Sequence, residues 1–296
     1  MKITKIIIVI LLLIICIILF IMGYYILIDI ETKIPEDAQE KLNIETKEYE
    51  NRKVFKIKPK EENNVKSETV IIYFHGGAYM AEATKMHWDF IEKIIYNTGA
   101  TIIMPDYPLA PRYNYKDVFN MVEPLYKEII KEVDTKNLIV MGDSAGGGIA
   151  LALLQKIGKE DIKMPSKTIL ISPWLDVRLM NPKIDKVQKR DTQLNKDILK
   201  LAGIAYAGID GIDNYLVNPI DGDLSKIRNI TILIGTDDIL NPDTHILKSR
   251  AEKVNVNIEI IEYENAKHIW LIEKNSEIEL INKGYEDIID LIEKTV

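Results

Sequence analysis

The sequence predicts an α/β fold built on a mostly parallel, buried sheet flanked by helices, preceded by one membrane-spanning helix. Three observations carry that reading. Short, unbroken Ile/Val-rich runs recur along the chain, helical periodicities fill the intervals between them, and an uncharged 23-residue segment stands apart at the N-terminus. Strands covered on both faces read as continuous apolar runs, and helices between them supply parallel crossovers. The 296 residues are 47% hydrophobic and 28% charged, the composition of a globular chain with room for one large domain or two small ones. The formal charge is -7 and no Lys/Arg cluster stands free of acids, which argues against nucleic acid as a partner. Repeats, low-complexity tracts and Gly/Ser linkers are absent, and nothing in the sequence sets an oligomeric state.

Taken in order, residues 1–5 carry Lys2 and Lys5, and residues 6–28 carry no charge. At about 1.5 Å per residue the segment reaches roughly 34 Å, enough to cross a bilayer core. Lysines before it and Asp29 and Glu31 after it place the start in the cytoplasm and the remainder outside, a single-pass cell-membrane topology. A cleaved signal peptide is the competing reading, but no A-x-A site ends the run. Cys16, the only cysteine, sits inside the run, so an intrachain disulfide is excluded. Beyond position 28 there are 36 basic and 45 acidic side chains, a balance of -9 that does not favour docking on an anionic surface. Residues 29–50 read as a charged stalk running into a short helix around DAQEKL. The main domain is then 51–296. Strands are expected at 54–57, 70–74, 101–104, 137–141, 168–172, 230–234 and 256–261. Helices are expected near 85–97, 115–132, 144–157, 243–254 and 277–294. More than fifty residues separate the strands at 168–172 and 230–234, including a helical stretch near 192–207. One crossover does not need that length, so an insertion at about 176–228 is expected to form a cap.

The stretch VMGDSAGGG, Val140–Gly148, joins a buried strand to a helix. Gly142-Asp143-Ser144-Ala145-Gly146 matches G-x-S-x-G, a turn that strains the serine backbone and leaves no space for side chains two residues away on either side. A plain turn with Ser144 or Asp143 as N-cap is the alternative. A phosphate loop lacks its lysine, and the G-x-G-x-x-G spacing is missing. A serine nucleophile needs a base, and the base an orienting acid. Of four histidines, His75 follows a strand, His87 and His245 fall in helical patterns where packing or surface roles suffice, and His268 lies in a loop between the last strand and the last helix. The order Ser…Asp…His makes His268 the best candidate base. Asp237 and Asp238 both follow the strand at 230–234 and both qualify as the acid, with Asp243 a remote third. His75-Gly76-Gly77-Ala78-Tyr79 offers backbone N–H groups with little side-chain cover, suited to an oxyanion, with a plain tight turn as the alternative when the segment is taken alone.

HGGAY, DYPLAP (106–111), GDSAGGG, SPWLD (172–176), GTDDIL and the loop around His268 together resemble the hormone-sensitive-lipase-like α/β-hydrolases, from about residue 50 to the C-terminus. Those proteins are carboxylesterases and lipases, many of them bacterial. The resemblance implies Ser144 as nucleophile, His268 as base and Asp238 as acid, since Ile239-Leu240 stands where the family has Pro-Leu after the acid. It implies the N–H groups of Gly77, Ala78 and Ala145 as oxyanion donors, with His75 and Asp106 bracing their loop and Gly76, Gly142 and Gly146 completing the motifs. Ala78 replaces the usual third glycine, Pro108 and Arg112 replace the usual Arg and Glu of the DYRLAPE run, and Ile239 replaces a proline. No metal or cofactor is implied. The expected partner is a small-molecule or lipid-like ester with a short acyl chain. The acyl pocket is expected from 176–228 with residues 31–50. Leu194, Ile198, Leu201, Ile204 and Tyr206 form a stripe that either packs on the sheet or lines a channel. A deacetylase, an amidase or peptidase, or a binding protein on the same scaffold are the rival readings.

Overall fold

The computed structural model describes residues 29–60 and 67–295, together with 7, 10, 13, 14, 16, 17 and 23. Those seven are helical. The rest of the expected span at 6–28 lies outside the described residues. Among the described residues no helix is long and apolar enough to cross a membrane.

The elements run α1 (Glu36–Lys41), β1 (Leu42–Tyr49), β2 (Arg52–Pro59), β3 (Val70–Phe74), α2 (Lys85–Thr98), β4 (Thr101–Pro105), α3 (Tyr115–Glu132), β5 (Leu138–Asp143) and α4 (Ser144–Lys159). Then come β6 (Lys167–Ile171), α5 (Ile184–Val187), α6 (Lys196–Ala207), β7 (Ile230–Gly235), α7 (Asn241–Glu252), β8 (Ile258–Tyr263), α8 (Trp270–Glu273) and α9 (Ile278–Glu293). The eight strands form one sheet in the order β1-β2-β4-β3-β5-β6-β7-β8. β1 and β2 are antiparallel to their neighbours, and every pairing from β4 to β8 is parallel.

The unbroken apolar runs have the cause inferred for them. Along β5, Leu138 and Val140 enter the core on one face while Ile139 and Met141 enter the core on the other. Ile72 and Phe74 alternate with Ile71 and Tyr73 along β3 in the same way. With period-2 side chains and both faces covered, every position wants an apolar residue. α3, α4 and α7 supply side chains to the first core, and α2, α8 and α9 supply them to the second. α4 is buried nearly all round, which its unpatterned SAGGGIALALL composition dictates. α3 is instead amphipathic and begins at Asn114, whose side chain accepts from Lys116 N at 2.9 Å while Asp117 accepts from Asn114 N at 2.9 Å.

Two expectations change. Residues 42–49, assigned to a stalk, are the edge strand β1, paired along its whole length with β2 from Leu42↔Pro59 to Tyr49↔Arg52. LNIETKEY buries only Leu42. An edge strand needs little apolar content, and its charges guard the open side, so its composition looks like a stalk. The sheet therefore starts before residue 51. The apolar stripe at 194–206 also divides. Leu199, Ala202, Gly203 and Tyr206 face inward at helical spacing, whereas Ile198, Leu201 and Ile204 are 67%, 68% and 57% exposed. α6 is apolar on two faces, so periodicity alone could not choose the buried one.

Candidate active site

The C-terminal ends of β3, β5, β7 and β8 bring the chemistry to one rim of the sheet. β5 ends at Asp143 and α4 begins at Ser144 with no intervening loop. The turn forces Ser144 to φ +50°, a region that costs an L-residue about 1–2 kcal/mol. A Cβ on Gly146 would lie 2.0 Å from the Phe74 carbonyl oxygen, and one on Gly142 would lie 2.5 Å from the Gly146 carbonyl oxygen. That crowding is the steric demand behind the two flanking glycines.

His268 follows β8 by a short loop, and Asp238 follows β7. His268 Nε2 stands 2.9 Å from Ser144 Oγ, and its Nδ1 stands 2.8 Å from Asp238 Oδ2. All three residues are buried. The second oxygen of Asp238 accepts from Leu240 N at 2.9 Å, which aims the carboxylate at the imidazole. Burial works against a charged His268, but the Asp238 carboxylate, with smaller help from Asp191 and Asp143, outweighs it and holds the imidazole above its usual range. Asp237 points away to Arg190, 2.7 Å from its Nε, and Asp243 is held by Asn181 Nδ2 at 2.9 Å. Position after β7 leaves the two adjacent acids equivalent and the family resemblance favours Asp238; the geometry separates them the same way.

The His75–Tyr79 segment follows β3. Gly77, Ala78 and Tyr79 all take positive φ, +118°, +54° and +63°, so the chain coils tightly beside Ser144. Ala145 N–H is among the first four amides of α4, which have no acceptor within the helix. His75 is fully buried. Its Nδ1 faces Gly76 O at 2.7 Å, Tyr107 stacks on its ring, and Tyr107 Oη donates to His75 O at 2.7 Å. Burial pushes its pKa down to about 4, aided by the neighbouring His87, so it stays neutral in ordinary buffers. Asp106 accepts from Thr32 Oγ1 at 2.7 Å and from Arg52 Nη2 at 3.3 Å. Thr32 Oγ1 in turn accepts from Ala83 N at 3.2 Å, so the chain Asp106–Thr32–Ala83 reaches the segment that joins the His75–Tyr79 coil to α2.

Three participants escaped the sequence reading. Asp143 does not cap its helix. It accepts from Tyr73 Oη at 2.5 Å and Gly76 N at 2.9 Å, tying the serine turn to the glycine segment. His87 takes the buried one of its two expected roles, but its polar partners were not foreseen. Its Nδ1 accepts from Thr84 N at 3.0 Å and its Nε2 lies 3.6 Å from Asp143 Oδ2. Asp191, from the β6–β7 segment, accepts from Ile239 N at 3.0 Å. The available signal was Asp143 itself. A carboxylate closing an otherwise apolar strand has to find donors when buried.

The family model for the alpha/beta hydrolase fold matches residues 71–272, which contain every candidate residue from His75 to His268. An esterase of Acinetobacter venetianus is 30% identical over 64% of this chain and 63% of its own length, so the match spans under two thirds of that relative. An acetyl-hydrolase of Streptomyces hygroscopicus is 24% identical over 68% of this chain and 67% of its own. The crystal structure of a hormone-sensitive lipase from a metagenome library superposes with a TM-score of 0.79 at 22% identity, covering 87% of each chain. The family model extends over most of the sheet and over the whole rim where the strand ends converge, and so the chain belongs to the alpha/beta hydrolase fold family.

Proposed function

We propose that the protein is a serine carboxylesterase, anchored by residues 6–28 with its catalytic domain outside the cytoplasm, and that it cleaves short-chain carboxylic esters through an acyl-serine. One observation carries this reading: the unbroken relay Ser144 Oγ, His268, Asp238 at 2.9 and 2.8 Å, with the serine on a strained turn. His268 takes the Ser144 proton as Oγ attacks the ester carbonyl, and Asp238 orients the ring and stabilises the imidazolium. The N–H groups of Gly77, Ala78 and Ala145 meet the developing oxyanion, where one donor is typically worth about 3 kcal/mol of barrier. His268 then hands the proton to the leaving alcohol. A water deprotonated by the same imidazole releases the acid and restores Ser144.

The esterase and acetyl-hydrolase named above support an ester substrate, and the second of them favours a short acyl group. The test is fluorophosphonate labelling of the full chain together with turnover of a p-nitrophenyl ester series from acetate upward. Label on Ser144 and preference for the short esters support the proposal. No label on folded protein, with hydrolysis unchanged in Ser144→Ala, overturns it. Matched amide substrates separate an esterase from an amidase.

A further inference from the structure

The segment between β6 and β7 sends two consecutive charged residues back to the loop that carries Asp238. Arg190 Nε donates to Asp237 Oδ1 at 2.7 Å, and its Nη2 donates to Thr236 O at 3.2 Å. Asp191 is buried and uses both carboxylate oxygens. Oδ1 accepts from Gln193 N at 2.8 Å and Leu194 N at 2.9 Å, closing a turn within its own segment. Oδ2 crosses to Ile239 N at 3.0 Å. Residues 190–191 therefore grip the chain on both sides of Asp238.

We propose that Asp191 is a positioning residue for the Ser144–His268–Asp238 relay: through the Ile239 amide it fixes the loop bearing Asp238, and its carboxylate stabilises the imidazolium that forms on His268. The idea rests on the serine-hydrolase reading above. Asp238 has only a local tether of its own, the Leu240 amide two residues away. On the N-terminal side the turn is already fixed from outside, by Asp237 N on Ala266 O at 3.1 Å and by Arg190, and the Asp191 contact adds the fixed point on the other side of Asp238. The charges that act on His268 are Asp238 from the loop after β7, Asp143 from the end of β5 and Asp191 from the β6–β7 segment. Around Asp191 stand Arg190 on its own segment and Asp237 and Asp238 across from it. Asp191 is thus a negative charge near the imidazole that is delivered by the segment lying over the sheet. A displacement of that segment would loosen the acid loop and withdraw the charge together.

Asp191→Asn in the full chain tests this. The amide keeps an oxygen for the Gln193 and Leu194 N–H groups but turns an NH2 toward the Ile239 N–H and removes the charge. The expected result is a fall in kcat of about tenfold with little change in KM. The acid limb of kcat/KM should move to lower pH by about half a unit, since an anion near the imidazole is lost. The low-field Nδ1–H proton resonance of His268, assigned by its loss in His268→Gln, should titrate lower by the same amount. Asp191→Glu restores the charge and should bring the limb back toward that of the unmodified chain. Asp191→Ser, which keeps an acceptor for the turn, replaces the Asn variant if that one does not fold. A lowered melting temperature with kcat and both pH midpoints unchanged makes Asp191 a structural residue only and overturns the proposal. If the unmodified chain neither hydrolyses esters nor labels at Ser144, the serine-hydrolase reading fails, while the His268 titration still decides for or against Asp191.

Discussion

The reactivity proposed for Ser144 comes from where it stands, with its backbone at φ +50° and its hydroxyl on His268 Nε2. Ser144→Ala is expected to lower kcat by about 10⁴-fold or more, and Asp238→Asn by about 10⁴-fold through loss of the correct imidazole tautomer. Steady-state hydrolysis of p-nitrophenyl butyrate checks both, with Asp237→Asn as the comparison that should retain most activity. Because His268 must be neutral to act and its pKa is raised, mainly by Asp238 against the effect of burial, the acid limb of kcat/KM should have its midpoint above the ordinary imidazole value of about 6.5. His75 behaves oppositely. Burial holds it down to about 4, so between about pH 6.5 and 4 the unfolded chain binds a proton that the folded chain refuses. Stability therefore falls as pH drops through that window, by up to about 3 kcal/mol from this group. Urea midpoints at pH 7 and pH 4.5 should show a smaller loss in His75→Gln than in the unmodified chain. His268, whose contribution has the other sign, is common to both proteins and cancels.

At the scale of elements, the segment before β1 belongs to the folded domain. Thr32 gives two hydrogen bonds to the buried Asp106 and accepts one from Ala83 N. Arg52 at the start of β2 donates to Asp106 O and ion-pairs with Asp29. Thr32→Val should cost about 1–3 kcal/mol, because the carboxylate of Asp106 loses a donor inside the protein. Chemical denaturation measures this, and an unchanged midpoint would show the Thr32 contact to be idle. Cutting the chain at residue 42 removes Asp29 and Thr32 together, so a fragment of residues 42–296 should be much less stable than one of residues 29–296.

For the whole molecule, the -9 balance beyond position 28 gives the folded part no net attraction for an anionic bilayer, so the proposed membrane attachment rests on the uncharged 23-residue segment before it. The full chain should stay with membranes after a high-pH carbonate wash, while residues 29–296 should stay in solution. Release of the full chain by carbonate would count against a spanning anchor. The mostly parallel sheet explains why residues separated by 124 positions, Ser144 and His268, meet. Parallel strands put all their C-terminal ends on one rim, and the loops there supply the site.

The sequence by itself determined the α/β layering, because strands such as β3 and β5 face apolar helices on both sides and have to be apolar throughout. It also carried the family, through short motifs whose glycines are required by local crowding, and it named Ser144 and His268 as candidates. Tertiary structure alone decided what depends on distant neighbours. β1 became a strand because β2 pairs with it, although its own residues bury almost nothing. Asp238 is favoured over Asp237 by the motif resemblance, but the physical difference, that one faces His268 and the other Arg190, is a difference of direction that one-residue spacing cannot encode. Asp143, His87 and Asp191 gained partners from segments remote in the chain, and the inward face of α6 was chosen by what lies beneath it. Local chemistry is written residue by residue, whereas the partner of a buried polar group is settled only when the chain closes around it.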